Sequence, residues 1–476
     1  MPVYKYNVKS HTVKDYPTRR DICSKHEEIN LTEMDEFLLF PVDMTVGYGR
    51  YIYGQKVDGY TLIISGTLKN FQRVQLIISE IDLYFDVLVS SESNKLEIKE
   101  IKNMLKGDES KLSLVKAYPG NGFHKEMSTY VRIHFSNIFT RRKHLLVFQE
   151  KQYTTASDCE MYMMANQIIN RNEWSLGDWG IVKNYESKWV EKYQCYAVYI
   201  TETNEDGSCS FEPVNRPLSA DPPKCKVPTI PPYLSLGYDI EVNGKSFALP
   251  TSANIEETIF MLCFGVYRSD QTEPIYTATI TNQTYIEEVF REKKPDWDLI
   301  LCNGGDNNVI LAFADILGKF YPEYKLAFNN FGFDDKFICE RINQSHYRQF
   351  DLFANMALPM PYAHIFPEKR KMIDTLFVET KIKLDGVFDM GDVKKRIHLP
   401  GTINIDMMSA LKKMNPKDDM LASHGLRSYL ERYNLPNKLD ISVQDMNFAY
   451  ENEDAELMMA TADYCVVDSI SCNRLE

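Results

Sequence analysis

At 476 residues the chain is too long for one ordinary core, and at roughly 100 to 200 residues per domain it predicts two or three domains. Hydrophobic residues at 44% with 25% charged exclude a disordered or fibrous chain and describe a globular one. A formal net charge of −13 argues against tight autonomous binding to duplex DNA, because phosphate contacts need Lys and Arg. It leaves room for an enzyme that grips a few nucleotides through metal ions and local contacts.

The N-terminus, Met1-Pro2-Val3-Tyr4-Lys5-Tyr6, lacks an apolar leader, and no stretch approaches the roughly 18 continuous apolar residues of a membrane span. An untargeted, intracellular protein with no membrane partner is expected. The ten cysteines show no CxxC pair and no Cys/His cluster at zinc-ligand spacing, so reduced and mostly buried thiols are the expectation.

Alternating segments at Tyr60–Ser65, Val74–Ile78, Phe85–Val89 and Tyr130–Phe135 predict strands of a mixed sheet in the first part of the chain. The cluster Arg141-Arg142-Lys143-His144 opens a predicted helix, either as a solvated face or as a phosphate contact. Between Glu202 and Pro232, prolines 213, 217, 222, 223, 228, 231 and 232 are too dense for helices or central strands. This stretch predicts a connector, giving domains at 1–201 and 233–476 with 202–232 between them.

After the connector, strands are predicted at Leu234–Val242, Phe260–Tyr267, Leu299–Cys302 and Tyr324–Phe328, with a helix at Asn308–Phe320. The remainder reads as mainly helical, with Met407–Met414, Ser423–Tyr433 and Ala455–Ile470 as the better segments. The fold class is therefore α/β: a mixed N-terminal domain, then a mixed sheet flanked by helices.

Three acidic patterns follow one another in the second domain. In Leu234-Ser235-Leu236-Gly237-Tyr238-Asp239-Ile240-Glu241-Val242, a period of two puts Asp239 and Glu241 on one face and Leu234, Leu236, Tyr238, Ile240 and Val242 on the other. Residues i and i+2 on a strand lie about 7 Å apart, so a divalent cation is a natural counterion, although an ordinary polar strand face has the same pattern. In Asn329-Asn330-Phe331-Gly332-Phe333-Asp334, Asp334 falls near a helix start, where capping is the simpler role. Phe331 and Phe333 offer faces for stacking an unpaired base, or belong to the core. In Tyr464-Cys465-Val466-Val467-Asp468, the i, i+4 spacing sets Tyr464 and Asp468 on one helical face.

Asp-x-Glu, Asn-x-x-x-Phe-Asp and Tyr-x-x-x-Asp, in that order in one domain, resemble the DEDDy 3′→5′ exonucleases of RNase H-like fold. The whole chain resembles the N-terminal and exonuclease portion of family B DNA polymerases, most of all the African swine fever virus type of large DNA viruses. Leu38–Asp43, Arg141-Arg142, Tyr238–Glu241, Ile405-Asp406-Met407 and Leu426–Leu430 carry that resemblance.

The resemblance implies that Asp239, Glu241 and Asp468 hold a principal metal ion and that Asp334 supports a second, with Mg²⁺ or Mn²⁺ as the pair. It gives Tyr464 the task of orienting water and phosphate, and Asn329, Phe331 and Phe333 the 3′-terminal nucleotides. The implied reaction is two-metal hydrolysis of DNA ends that releases deoxynucleoside monophosphates in viral replication. Val242 and Ala327 depart from the family's usual choices without removing a ligand.

The chain ends soon after the third motif, so palm, fingers and thumb are expected to be absent and primer extension to require a second polypeptide. Single-stranded 3′ ends or primer–template DNA are the expected partners, in host cytoplasm or at a viral replication site. A non-catalytic scaffold and an RNA-directed DEDDy nuclease are the competing expectations; retention of all four acidic residues opposes the first, and the polymerase-like N-terminal domain opposes the second.

Overall fold

The computed structural model describes residues 2–476 apart from 28, 48–50, 58–59, 91–94, 106–110, 119–124, 173–176, 202–210, 215–230, 245–249, 345–346, 362–363, 365–375, 381–393, 416–423 and 437–439. Most of the expected Pro-rich connector lies outside the described residues. Within it, Phe211–Pro213 forms an edge strand against Gly180–Lys183.

Eight strands build the sheet that carries the acidic motifs: β1 (Val3–Asn7), β2 (Thr12–Val13), β3 (Leu234–Val242), β4 (Ile259–Arg268), β5 (Tyr276–Thr281), β6 (Asp298–Leu301), β7 (Tyr324–Ala327) and β8 (Ile403–Asp406). Their order is β2-β1-β6-β5-β4-β3-β7-β8. β3, β4 and β5 form an antiparallel meander, β7 and β8 add in parallel beside β3, and β6 and β1 add in parallel beside β5. The sheet is mixed, and the first residues of the chain help complete it.

Alternation along the strands assigns the two faces. Leu262 and Phe264 of β4 share a buried cluster with Leu234, Leu236, Tyr238 and Ile240 of β3 and with the apolar residues of α1 (Asp306–Phe320). Met261 and Cys263 point the other way and pack with Met458, Ala462, Cys465 and Val466 of the long C-terminal helix. By the same alternation Asp239 and Glu241 lie on that helix's side of β3.

The earlier part of the chain forms a seven-stranded sheet and a four-stranded sheet. Tyr60–Thr67 and Arg73–Ile81 sit in the middle of the larger one, while Leu83–Leu88 and Ser128–Phe135 centre the smaller. The helix at Ile138–Glu150 corrects the reading of its basic cluster. Arg141 is neither a solvated nor a phosphate-facing side chain: it is fully buried and donates to the carbonyls of Tyr84 at 2.7 Å and Ser157 at 2.5 Å. Its neighbour Arg142 pairs with Glu160 at 2.5 Å. Main-chain carbonyls take two nitrogens of this buried guanidinium and Glu160 lies 3.7 Å from the third, which no charge pattern could reveal.

The two parts meet at Glu323, which is fully buried. Its carboxylate accepts from Arg19 at 2.6 Å, Arg73 at 2.7 Å, Thr67 at 2.6 Å and the amide of Leu234 at 2.7 Å. The start of β3 is thereby tied to the middle of the seven-stranded sheet.

The described residues of the later part are mainly helical, as expected, with three short strands among the helices. Phe377–Thr380 pairs with Lys394–Ile397, and β8 pairs with β7; four-residue strands are too short to display periodicity.

Candidate active site

β3 runs through the sheet interior, and its pairing to β7 stops at Gly237, opposite Leu326. Beyond that point the β7 side of β3 is open, so the Ile240 amide donates instead to Asp334 Oδ1 at 3.2 Å. A register shift between Glu241 and Val242 ends regular pairing with β4. Asp239 and Glu241 thus stand where β3 has lost its β7 partner but is still paired to β4, next to a register shift, a common setting for functional side chains.

The third motif lies on α4 (Ala455–Leu475), capped by Asp454, whose carboxylate accepts from the Leu457 amide. Two glycines opposite one another on adjacent strands, Gly237 and Gly265, let this helix approach the sheet. A Cβ on Gly237 would overlap Asn473 Oδ1 and the Ser469 carbonyl, and one on Gly265 would come within 2.8 Å of Ile470 Cγ2. Asn473 also donates to Ser235 Oγ at 2.8 Å. On this helix Asp463 is engaged by the Trp297 indole N–H at 2.8 Å, while Tyr464 and Asp468 face the Asp239 cluster and hydrogen bond to each other.

Asp334 opens α2 (Asp334–Gln344) after a tight turn. Asn329 takes a φ of 62°, and its carbonyl accepts from Gly332 at 2.9 Å and Phe333 at 3.0 Å. A Cβ on Gly332 would press within 2.7 Å of Asn329 Oδ1, so glycine makes room for that side chain. The Asn329 amide donates to Asp406 Oδ1 at 3.2 Å, and Asp406 also caps α3 (Met407–Met414) through the Ser409 amide. Asp334 is the first residue of its helix, and its link to the Ile240 amide joins α2 to β3. Phe331 is 6% exposed, so Phe333 is the aromatic of this turn with more accessible surface.

The electrostatics are those of like charges forced together. Burial raises the Asp239 carboxyl far above its usual range, and Asp334, Glu241 and Asp468 raise it further. Burial pushes Asp334 up to about 7, with Asp335 and Asp406 adding to the rise. The Tyr464 phenol is also raised, by burial and then by Asp468, Glu241 and Asp239, so it stays protonated at neutral pH. Hard oxygen donors crowded in this way suit divalent ions such as Mg²⁺ or Mn²⁺.

One member of the cluster escapes sequence reasoning. Ligand atoms of Asp239, Glu241 and Cys465 lie within 4.8 Å of one another. Cys465 Sγ is 3.6 Å from the Asp239 carbonyl and 3.8 Å from Asp239 Oδ2. Burial and a hydrogen bond with Cys263 raise the Cys465 thiol well above its usual value, so at neutral pH it is a thiol beside the carboxylate and not a thiolate ligand. Its position directly after Tyr464 was the available signal. Gly237, Gly265 and Asp406 were also missed; a glycine in a strand interior, as at Gly237 and Gly265, does signal close backbone approach.

The family model for the exonuclease domain of DNA polymerase family B matches residues 188–435. The chain therefore belongs to DNA polymerase family B through its exonuclease domain, and that family's setting is DNA replication. The matched stretch contains Asp239, Glu241 and Asp334 but ends before Tyr464 and Asp468.

Among relatives, the chain is 25% identical over 463 residues to "DNA polymerase beta" of African swine fever virus, isolate Tick/South Africa/Pretoriuskop Pr4/1996, covering 94% of this chain and 34% of that protein. It is 28% identical over 113 residues to "DNA polymerase" of Acanthamoeba polyphaga mimivirus, covering 23% of this chain and 6% of that protein. The chain thus spans about a third of the length of the African swine fever virus relatives it matches. The fold is similar to that of the family B DNA polymerase of the archaeon Pyrobaculum calidifontis, with a TM-score of 0.54 at 14% identity, covering 92% of this chain and 45% of that one. Among the described residues no helix is long and apolar enough to cross a membrane.

Proposed function

We propose that the chain is the proofreading half of a family B DNA polymerase, a DEDDy 3′→5′ exonuclease that releases deoxynucleoside monophosphates during viral DNA replication. The crowding of Asp334, Glu241 and Asp468 around Asp239, from three separate elements, carries this reading. Asp239, Glu241 and Asp468 would hold the principal ion and Asp334 would support the second; bound as a pair, Mg²⁺ or Mn²⁺ would supply water activation and charge neutralisation at the leaving 3′ oxygen.

The protein's own groups do the rest. Tyr464, protonated at neutral pH, acts as a hydrogen-bond donor that orients the attacking water and the scissile phosphate, not as a base. Asn329 and Phe333 hold the last nucleotides, Phe333 as a stacking face, and the covered Phe331 stiffens the turn that presents them. A mispaired terminus melts more readily than a paired one and so reaches the carboxylates more often.

In this reading residues 1–201 form the family's N-terminal domain, 202–232 the connector and 233–476 the exonuclease domain, with β1 and β2 crossing over to complete the later sheet. The proposed setting is the host cytoplasm or a viral replication site.

The test is a 5′-labelled single strand incubated with Mg²⁺ and the purified chain, beside an Asp239→Ala/Glu241→Ala variant. A ladder shortening from the 3′ end that the variant fails to make is the expected result. DNA left intact by both proteins, with a candidate polymerase partner present and absent, would instead favour a DNA-guiding scaffold.

A further inference from the structure

Behind the carboxylate cluster lies a second charged assembly that the hydrolysis does not use. Lys325 on β7 and Asp335 on α2 are both fully buried, with Nζ and Oδ1 2.6 Å apart. Asp335 Oδ1 also accepts from the Tyr238 hydroxyl at 2.5 Å, and Oδ2 accepts from the Ile397 amide at 3.0 Å and Asn404 Nδ2 at 2.6 Å. The Lys325 ammonium lies 4.9 Å over the Tyr238 ring. One carboxylate thus collects donors from β3, β7, β8 and the strand Lys394–Ile397.

Stability alone is a poor account of this arrangement, since well-packed apolar residues in place of a buried ion pair are often neutral or better. Its location is more informative. Tyr238 directly precedes Asp239, and Asp335 directly follows Asp334. On the far side of Asp239, the Ile240 amide holds Asp334 Oδ1. Asp239 is therefore bracketed by two attachments between β3 and the first turn of α2, one through each of two consecutive aspartates. The Lys325–Asp335–Tyr238 tie fixes the spacing of β3 and α2 at its base, and Asn404 holds the same carboxylate from the next strand.

We propose that Lys325 and Asp335 are positioning residues that fix Asp334 relative to Asp239, and that they act selectively on the second of the two metal ions. The inference rests on the two-ion reading above. Groups that orient metal ligands without touching the metal typically contribute about 10 to 100-fold in affinity or activity.

The test is Mn²⁺ binding to the full chain without DNA, followed by calorimetry and electron paramagnetic resonance, for the wild type, Lys325→Met/Asp335→Asn and Asn404→Ala. The double variant is expected to keep the tighter ion within about 2-fold and to weaken the second by about 10 to 100-fold. Its kcat on a labelled single strand should fall in parallel while KM stays unchanged. Asn404→Ala, which removes the Asn404 hydrogen bonds to Asp335, the Ile397 carbonyl and Asn330 without altering a metal ligand, should weaken the second ion by roughly 2 to 10-fold and decides the matter if the double variant does not fold. A folded variant with a lower Tm but both Mn²⁺ affinities intact would overturn the proposal and leave a purely structural ion pair. Equal weakening of both ions would overturn its selectivity. A wild type that binds no Mn²⁺ and cuts no DNA would overturn the two-ion reading itself, an outcome visible before any variant is made.

Discussion

Two buried carboxylate centres lie at the two ends of one strand, and they behave in opposite ways. At the start of β3, Glu323 receives two arginines; burial would raise its carboxyl, but Arg19 and Arg73 outweigh burial and hold it at about 2. Near the end of β3, burial raises Asp239, and the strongest charges acting on it, Asp334, Glu241 and Asp468, are acids that raise it further. The first centre is complete as folded and joins two parts of the chain. The second is left electrostatically strained by the fold, which marks a place for cations from solution.

Removing the strained centre should cost activity and not stability. For Asp239→Ala/Glu241→Ala we expect nuclease activity to drop by on the order of 10³-fold, since metal ions supply several kcal/mol at the transition state. The metal-free melting temperature should be unchanged or higher, because repulsion is relieved. Glu323→Gln should do the reverse: two buried guanidinium groups lose their counter-charge, at about 3–5 kcal/mol, while activity per folded molecule holds. Chemical denaturation and the labelled-strand assay together separate the two, and a Glu323→Gln protein as stable as wild type would break the comparison.

Gly237→Ala tests how the strained centre is assembled. The added methyl overlaps Asn473 and Ser469, so α4 must shift, at about 1–3 kcal/mol of overpacking. Because Asp468 and Tyr464 ride on that helix, activity should fall more than stability, by about 10 to 100-fold.

The pH dependence sharpens the contrast. Asp334 sits at about 7 in the folded protein, above its unfolded value near 3.8, so the folded state binds the proton more tightly. Without metal, this contribution to stability is fully present below the unfolded value and is lost as pH rises towards 7. Glu323, depressed to about 2, contributes stability that is present above its unfolded value of 4.5 and is lost as pH falls towards 2. Melting curves of the metal-free chain from pH 5 to 8 should therefore decline, and saturating Mn²⁺ should flatten the decline.

The smallest effect is expected at Arg142→Ala. Its pair with Glu160 is partly solvated, at 36% exposure for Arg142, and is worth about 1 kcal/mol or less, with no change in cleavage rate.

Much of this was legible in the residues. The period of two in Leu234–Val242 gave the strand to its end residues and put Asp239 and Glu241 together on one face, and Met407–Met414 was equally plain. The first and third acidic patterns were visible as spacing, and the resemblance to family B joined them into one candidate site. What spacing could not reveal was Cys465 beside Asp239, the glycine pair under α4, or the burial of Arg141, because each depends on a neighbour more than 15 residues away in sequence.

Local sequence determined which residues share a strand face or a helix turn, because backbone geometry fixes those relations within a few residues. Only the tertiary structure decided that β3 loses its β7 neighbour after Gly237, that α4 crosses at Gly237 and Gly265, and that Asp335 closes on Lys325 and Tyr238. Those are contacts between distant segments, set by packing and by the need of buried polar groups for partners, and no local periodicity encodes them.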